Sequence, residues 1–166
     1  MKNFTLAISF LLYSAGLFGQ NVVISTQNPS GLYVCDIEPM TVTLQNGAGP
    51  AATNLNTTVT FPSGITYVPG TVAGATESNI TNLNAPVFAL IDLAGGTSVS
   101  FTLNVTAGCP VVQSINDGLT FSNTIVATYG GGSKQFVSNF YPVETGLLNI
   151  NGIMPPTVTA QKGDVV

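Results

Sequence analysis

Few side chains in this chain could do chemistry. Cys35 and Cys109 are its two cysteines, and Asp36 with Glu38 is its one pair of carboxylates close in sequence. Two apart in an extended segment, Asp36 and Glu38 would face the same way and could contribute to a calcium site. Calcium takes about six to eight oxygen ligands. Asp92, Asp117 and Asp164 are scattered and no Asp-x-Asp pair occurs, so these carboxylates read as solvated surface charge and no metal ligand set is assigned. Histidine is absent, which removes both the commonest general base near neutral pH and the commonest transition-metal ligand. Ser and Thr abound and a few Asp are present, but no base pairs with them recognisably, so no catalytic residue and no cofactor is assigned.

Other motifs have an ordinary explanation beside the functional one. Thr41-Val42-Thr43, Thr58-Val59-Thr60 and Thr157-Val158-Thr159 could form a hydroxyl array for ice or sugar, yet alternation in a Thr-rich strand protein produces such triplets unaided. Tyr33, Tyr67, Tyr129 and Tyr141 could stack on a sugar, or fill the sheets as buried or half-buried rings. The glycan-acceptor pattern occurs at Asn56, Asn79 and Asn104, where chance accounts for it in a sequence rich in Asn and Thr. Gly130-Gly131-Gly132-Ser133-Lys134 lacks the spacing of a phosphate loop and reads as a hairpin connection.

Composition sets what must hold these residues. The 166 residues suit one domain of ordinary size, with 45% hydrophobic but only 6% charged residues, against roughly 25% charged in a typical soluble domain. Solubility must come from Thr, Ser and Asn, and the long charged side chains of exposed helix faces hardly occur. Three basic residues and a net charge of −4 leave no patch for successive phosphates, so neither nucleic acid nor an anionic membrane surface is an expected partner.

Residues 1–19 read as an export signal: Lys2 supplies the positive start, an apolar run follows from Phe4, and small residues precede Gln20. Cleavage after Gly19 would leave Gln20 as the first residue; Gly16 is the other small-residue site. The uncharged stretch is shorter than the ~20 residues of a membrane span, so no membrane insertion is expected after cleavage. The expected location is secreted or at the cell surface.

Beyond the signal, apolar and polar residues alternate in 21–25, 40–46, 55–61, 65–68, 86–91 and 97–106, followed by 119–129 and 135–141. In the sixth run Val99, Phe101, Leu103 and Val105 would point inward while Ser98, Ser100, Thr102 and Asn104 face solvent. Turn signals such as Pro62-Ser63-Gly64 and Gly95-Gly96 separate the runs. Eight strands with short connections and no helices predict an all-β chain, an immunoglobulin-like antiparallel β-sandwich, with a barrel as the alternative. Residues 20–142 would form it. After them, 143–166 read as a linker, marked by Pro155-Pro156, and as the first strand of a following, truncated domain.

Met40-Thr-Val-Thr-Leu-Gln-Asn46 followed by Gly49-Pro50-Ala51-Ala52-Thr53-Asn54-Leu55 resembles the opening of the bacterial "conserved repeat" domain. Thr58-Val-Thr-Phe-Pro-Ser-Gly-Ile-Thr-Tyr-Val-Pro-Gly70 and the stretch 88–105 resemble its later strands and turns, in the same order, over about residues 34–110. The resemblance implies an immunoglobulin-like module repeated in large surface proteins, with no catalytic residue to carry over. The leader around Leu17-Phe18-Gly19-Gln20 resembles those of proteins secreted by gliding Gram-negative bacteria.

Two function classes follow. One is a non-catalytic module, a structural spacer or adhesive repeat whose partners are neighbouring repeat domains, surface glycans or proteins. The other is a carbohydrate-binding accessory domain of a secreted enzyme. Export would place Cys35 and Cys109 in an oxidising compartment with no third cysteine to compete. A disulfide between them is expected, since strands starting near Met40 and ending near Thr106 would bring both to one end; two separate buried thiols are the alternative.

Overall fold

The period-two runs become strands because each can bury its Val, Leu, Ile and Phe on one side and leave Thr, Ser and Asn on the other. The computed structural model describes residues 20–29, 31–33, 35–108, 122–139 and 143–144. Residues 1–19, Cys109, Asp117, Tyr141 and 145–166 lie outside them. The described strands are β1 (Val22–Gln27), β2 (Leu32–Tyr33), β3 (Ile37–Asn46), β4 (Asn56–Thr60), β5 (Ile65–Tyr67), β6 (Thr76–Asn79), β7 (Val87–Ala89), β8 (Ser98–Ala107), β9 (Ser122–Tyr129), β10 (Gly132–Asn139) and β11 (Val143–Glu144).

They form a four-stranded sheet in the order β1-β3-β8-β5 and a five-stranded sheet in the order β10-β9-β4-β7-β6. Every pairing within these two sheets is antiparallel. In chain order β1, β3, β8 and β5 take the places of the ABED sheet, and β4, β9 and β10 those of the CFG sheet, which is the immunoglobulin-like β-sandwich. The short pair of β2 with β11 is parallel.

The core lies between the sheets. Val22 and Ile24 of β1, Met40, Val42 and Leu44 of β3 and Phe101, Leu103 and Val105 of β8 are buried from one side. Val59, Phe88, Ile125 and Ala127 meet them from the other. Tyr67, Phe88 and Phe101 form a central aromatic chain with ring centroids 5.2 and 5.3 Å apart, the first pair edge to face. Val99 is half-buried and packs against the core beside Leu44.

Eight expected strands are present, with shifted ends. β6 was not legible in the sequence, because Thr-Glu-Ser-Asn carries no apolar residue and pairs at the sheet edge through a bulged register with β7. The glycine hairpin is tighter than the sequence suggested. Gly130 and Gly131 alone form the turn, and Gly132 and Ser133 already pair in β10. Gly74 is required by its φ of +88° and by the Ser100 carbonyl oxygen, which would lie 2.6 Å from an added Cβ.

Replacing Phe88 by Ala removes the middle ring of the aromatic chain and should cost about 3–5 kcal/mol of unfolding free energy in urea titration. The same titration should move by no more than about 0.5 kcal/mol for Val137→Thr, because Val137 is 55% exposed on β10. Equal losses would mean that the two faces of the sheets have been assigned the wrong way round.

Candidate functional site

Among the described residues, those singled out from the sequence do not converge on one centre. Asp36 is exposed before β3, and Glu38, half-buried in β3, pairs in register with Val105. Among the described residues no group of three or more His, Cys, Asp or Glu could hold a metal ion. Thr41 and Thr43 lie on the outer face of the four-stranded sheet, whereas Thr58 and Thr60 lie on the outer face of the other. The two described triplets are thus divided between opposite sides of the sandwich, and the third, at 157–159, lies outside the described residues. Their hydroxyls are also partly spent on neighbours: Thr41 Oγ1 bonds Thr102 Oγ1 at 3.0 Å and Thr43 Oγ1 bonds Ser100 Oγ at 2.8 Å. These are cross-strand stitches.

Tyr67 is buried and Tyr129 half-buried, as rings that fill the sheets. Asn79 is exposed at the end of β6, while Asn56 and Asn104 are half-buried within paired strands. Cys35 is exposed and sits in the left-handed region at φ 71°, an unusual conformation for a non-glycine residue. Its backbone N–H donates to the Ala107 carbonyl at 2.8 Å. That bond fixes Cys35 beside the end of β8, two positions before Cys109 in sequence.

What the structure does assemble are two broad faces without charge. Across the four-stranded sheet the outer rows run Val23–Gln45–Ser98, Ser25–Thr43–Ser100 and Gln27–Thr41–Thr102. Across the five-stranded sheet they run Ser133–Thr128–Asn56–Ala89–Thr76 and Gln135–Val126–Thr58–Val87–Asn79. Such faces can offer hydroxyl and amide hydrogen bonds and small apolar contacts, and no ionic ones. Beside the second face a shallow open groove of about 390 Å³ is lined by Gly74, Ala75, Thr76, Ala89, Leu90 and Ile91. It contains no titratable side chain.

Two described carboxylates hold backbone: Asp92 Oδ1 accepts the Asn54 N–H at 2.8 Å, and Glu77 does more. Glu77 Oε1 accepts the Tyr67 hydroxyl at 2.5 Å and the Gly70 N–H at 2.6 Å, while the Tyr67 oxygen accepts the Val72 N–H at 3.2 Å. One carboxylate therefore ties β6 to β5 and to the loop between them. The Tyr67 bond, then the Gly70 bond, hold Glu77 below the usual carboxylate range. Burial, then the bond to Glu77, push the Tyr67 phenol up. Sequence reasoning missed this latch. The available signal was that Glu77 is the sole charged residue between Glu38 and Asp92.

Two amide clusters were missed as well. Buried Asn46 donates to the carbonyls of Pro50 at 2.9 Å and Leu93 at 3.0 Å, joining two loops at one end of the sandwich. At the other end Asn28 donates to Ser138 Oγ and to the Asn139 carbonyl, both at 2.7 Å, and accepts from buried Asn123 at 3.2 Å. Asn is common throughout the chain, so its type alone marked neither position.

No protein family and no curated protein matches the sequence. Several solved structures are similar in fold at low identity. A DUF4466 family protein from Parabacteroides merdae is 10% identical with a TM-score of 0.47, the match covering 75% of this chain and 45% of that one. The CARDB domain of a Pyrococcus furiosus protein is 9% identical with a TM-score of 0.45, covering 74% and 90%. The RrgB pilus protein of Streptococcus pneumoniae is 15% identical with a TM-score of 0.49, covering 68% of this chain and 23% of that one. None of these likenesses carries a site residue across. Among the described residues no helix is long and apolar enough to cross a membrane.

The latch makes an acid-sensitive contribution of known sign. Because folding lowers the Glu77 pKa, its stabilisation is complete above the unfolded value of 4.5 and is lost as pH falls through the lower folded value. Glu77→Gln should lower the thermal midpoint at pH 7 and bring it level with the parent protein near the bottom of the acid limb. A constant difference between the two at every pH would rule out the carboxylate as the cause.

Proposed function

We propose that the protein is a non-catalytic secreted module of the cell surface, a structural spacer or adhesive repeat within a larger multidomain chain. The observation that carries this reading is the position of its two ends. Gln20 donates to the Ala51 carbonyl and lies against Gly131, at the end of the sandwich where β3 finishes and the β9–β10 hairpin turns. β10 then runs to the opposite end, where Val143–Glu144 pairs with β2, close to the start of β3. The chain thus enters at one pole and leaves at the other. Ten-residue strands such as β3 and β8 put those poles about 30 Å apart at the usual rise per residue. A module of that kind, repeated, extends a chain instead of folding it back.

The uncharged faces favour the second reading, a carbohydrate-binding accessory domain. Neutral hydroxyl and amide rows suit a neutral, hydroxylated partner. A glycan array separates the two: binding to a defined sugar class favours the accessory domain, and uniform background favours the spacer.

Export and the Cys35–Cys109 bond belong to the same proposal. Secretion removes residues 1–19, and the bond then joins the turn before β3 to the segment after β8. Closing a loop of about 74 residues contributes on the order of 4 kcal/mol in the chain-entropy model. The placement of Cys35 on the Ala107 carbonyl, two positions before Cys109 in sequence, supports the bond.

Two measurements test the proposal. Small-angle scattering from two copies joined through residues 145–166 should give a longest dimension greater than that of one copy by about a module length, about 30 Å. A pair no longer than one copy overturns the spacer. Mass spectrometry of the exported protein should find Gln20 at its start and a cross-linked Cys35–Cys109 peptide that reduction splits. Two alkylated cysteines in unreduced, denatured protein would refute the bond.

A further inference from the structure

We infer that the module bears load: its first and last long strands form a clamp that tension along the long axis shears, and does not peel. The inference rests on the spacer reading, which sets the two poles as the points of attachment. Tension at Gln20 enters β1 along the strand, directed away from the sandwich. β1 is held to β3 by six register pairs, from Val22↔Asn46 to Gln27↔Thr41. Hydrogen bonds of an antiparallel ladder lie across the strands, so a force along β1 strains all six pairs together.

The exit mirrors this arrangement. β10 runs away from the entry pole and is held to β9 by eight register pairs, from Gly132↔Tyr129 to Asn139↔Ser122. Tension from residue 144 draws β10 in its own direction, again in shear. β1 and β10 also run side by side in parallel, because Gln20 meets Gly131 at one pole and Asn28 meets Asn139 at the other. Tension therefore slides these two edge strands in opposite directions. Side chains bridge them: Thr26 Oγ1 donates to Ser138 Oγ at 3.0 Å, and Asn28 Nδ2 donates to the same oxygen at 2.7 Å. Asn123, buried in β9, holds Asn28 from behind. Each edge is thus tied both to its own sheet and to the edge of the other sheet.

A force applied at one pole alone meets a different structure. Ala48 is exposed in the turn that follows β3, next to the pair Val22↔Asn46. Pulling between residues 20 and 48 opens the β1–β3 ladder from that pair onward, one pair at a time. Forced rupture follows the unfolding barrier for the chosen direction, so one fold at one equilibrium stability gives two different forces.

Single-molecule force spectroscopy on the full chain tests the clamp. Handles are attached through clickable residues introduced at positions 20 and 144, or at 20 and 48, in reducing buffer. At one pulling speed the long-axis geometry should rupture at a force at least about twofold higher than the single-pole geometry, since the ladder bonds are strained together in the first and in turn in the second. Ser138→Ala, checked for native circular dichroism, should lower the long-axis force and leave the single-pole force unchanged. Should Ser138→Ala fail to fold, Thr26→Val removes one of the same bridges and is read in the same way. Equal forces in the two geometries, or a long-axis force that neither variant lowers, overturns the inference. Equal forces with an elongated tandem pair would leave the spacer standing and remove load bearing. Unequal forces with a folded-back pair would remove the spacer and leave the clamp.

Discussion

The ladder between β3 and β8 is the member on which the other parts hang. Its register runs from Ile37↔Thr106 to Gln45↔Ser98. The alternation of both strands gives that one ladder two surfaces. Inward it presents Met40, Val42, Leu44, Phe101, Leu103 and Val105, which the five-stranded sheet covers. Outward it presents Thr41, Thr43, Ser100 and Thr102, whose hydroxyls bond across the strands. Slipping the register by one residue would exchange the two sets, exposing apolar rows and burying hydroxyls without partners, so this pairing is strongly fixed. The ladder also fixes both poles. Past one end, Asn46 accepts the Gly96 N–H and gathers the loops at Pro50 and Leu93; past the other, Cys35 is held on Ala107.

With so little charge available, the molecule joins its elements through amides and hydroxyls. Asn84 bonds the carbonyls of Pro62 and Ile65, Asn46 bonds two loops, and Asn28 and Asn123 join the sheets at one edge. A neutral amide is cheaper to bury than an ion, and it both donates and accepts, so a single Asn can serve two elements. Among the described carboxylates, Asp92 accepts the Asn54 N–H, and Glu77 is placed where two donors already converge and where β6 has no apolar residue to hold it down. Packing cannot secure that edge strand, so a charge-assisted bond does.

Most of the sandwich was legible because burial on one face leaves a period-two trace. Phe101, Leu103 and Val105 point inward as their spacing requires, and eight strands lie where the alternation placed them. What left no trace depended on partners distant in sequence. Thr76–Asn79 becomes a strand because β7 is beside it, not because of its own residues. Glu77 matters because a tyrosine ten positions away turns its hydroxyl toward it. Asn28 and Ser138 are 110 positions apart, and each reads alone as an ordinary loop or strand polar residue. The absence of His and the scatter of carboxylates were plain in the sequence, whereas the division of the two described Thr triplets between two opposite faces needed the sheet order.

Neutral flanks and opposed poles have a joint consequence. Charged flanks would steer or repel neighbouring copies over about a Debye length, with an outcome set by ionic strength. On these faces the rows are Thr, Ser, Asn, Gln, Val and Ala, so lateral approach is governed by shape and hydrogen bonding, which salt screens little. On the proposed spacer reading, the fold separates two kinds of contact: along the chain through β1 and β10, and across it through uncharged sheet faces. An acidic protein usually keeps its copies apart by charge. Here, with a net charge of −4 spread over 166 residues, that separation falls chiefly to the exposed hydroxyls and amides. Thr, Ser and Asn occupy the outward positions, and two of the facing pairs, Thr41 with Thr102 and Thr43 with Ser100, bond across the strands.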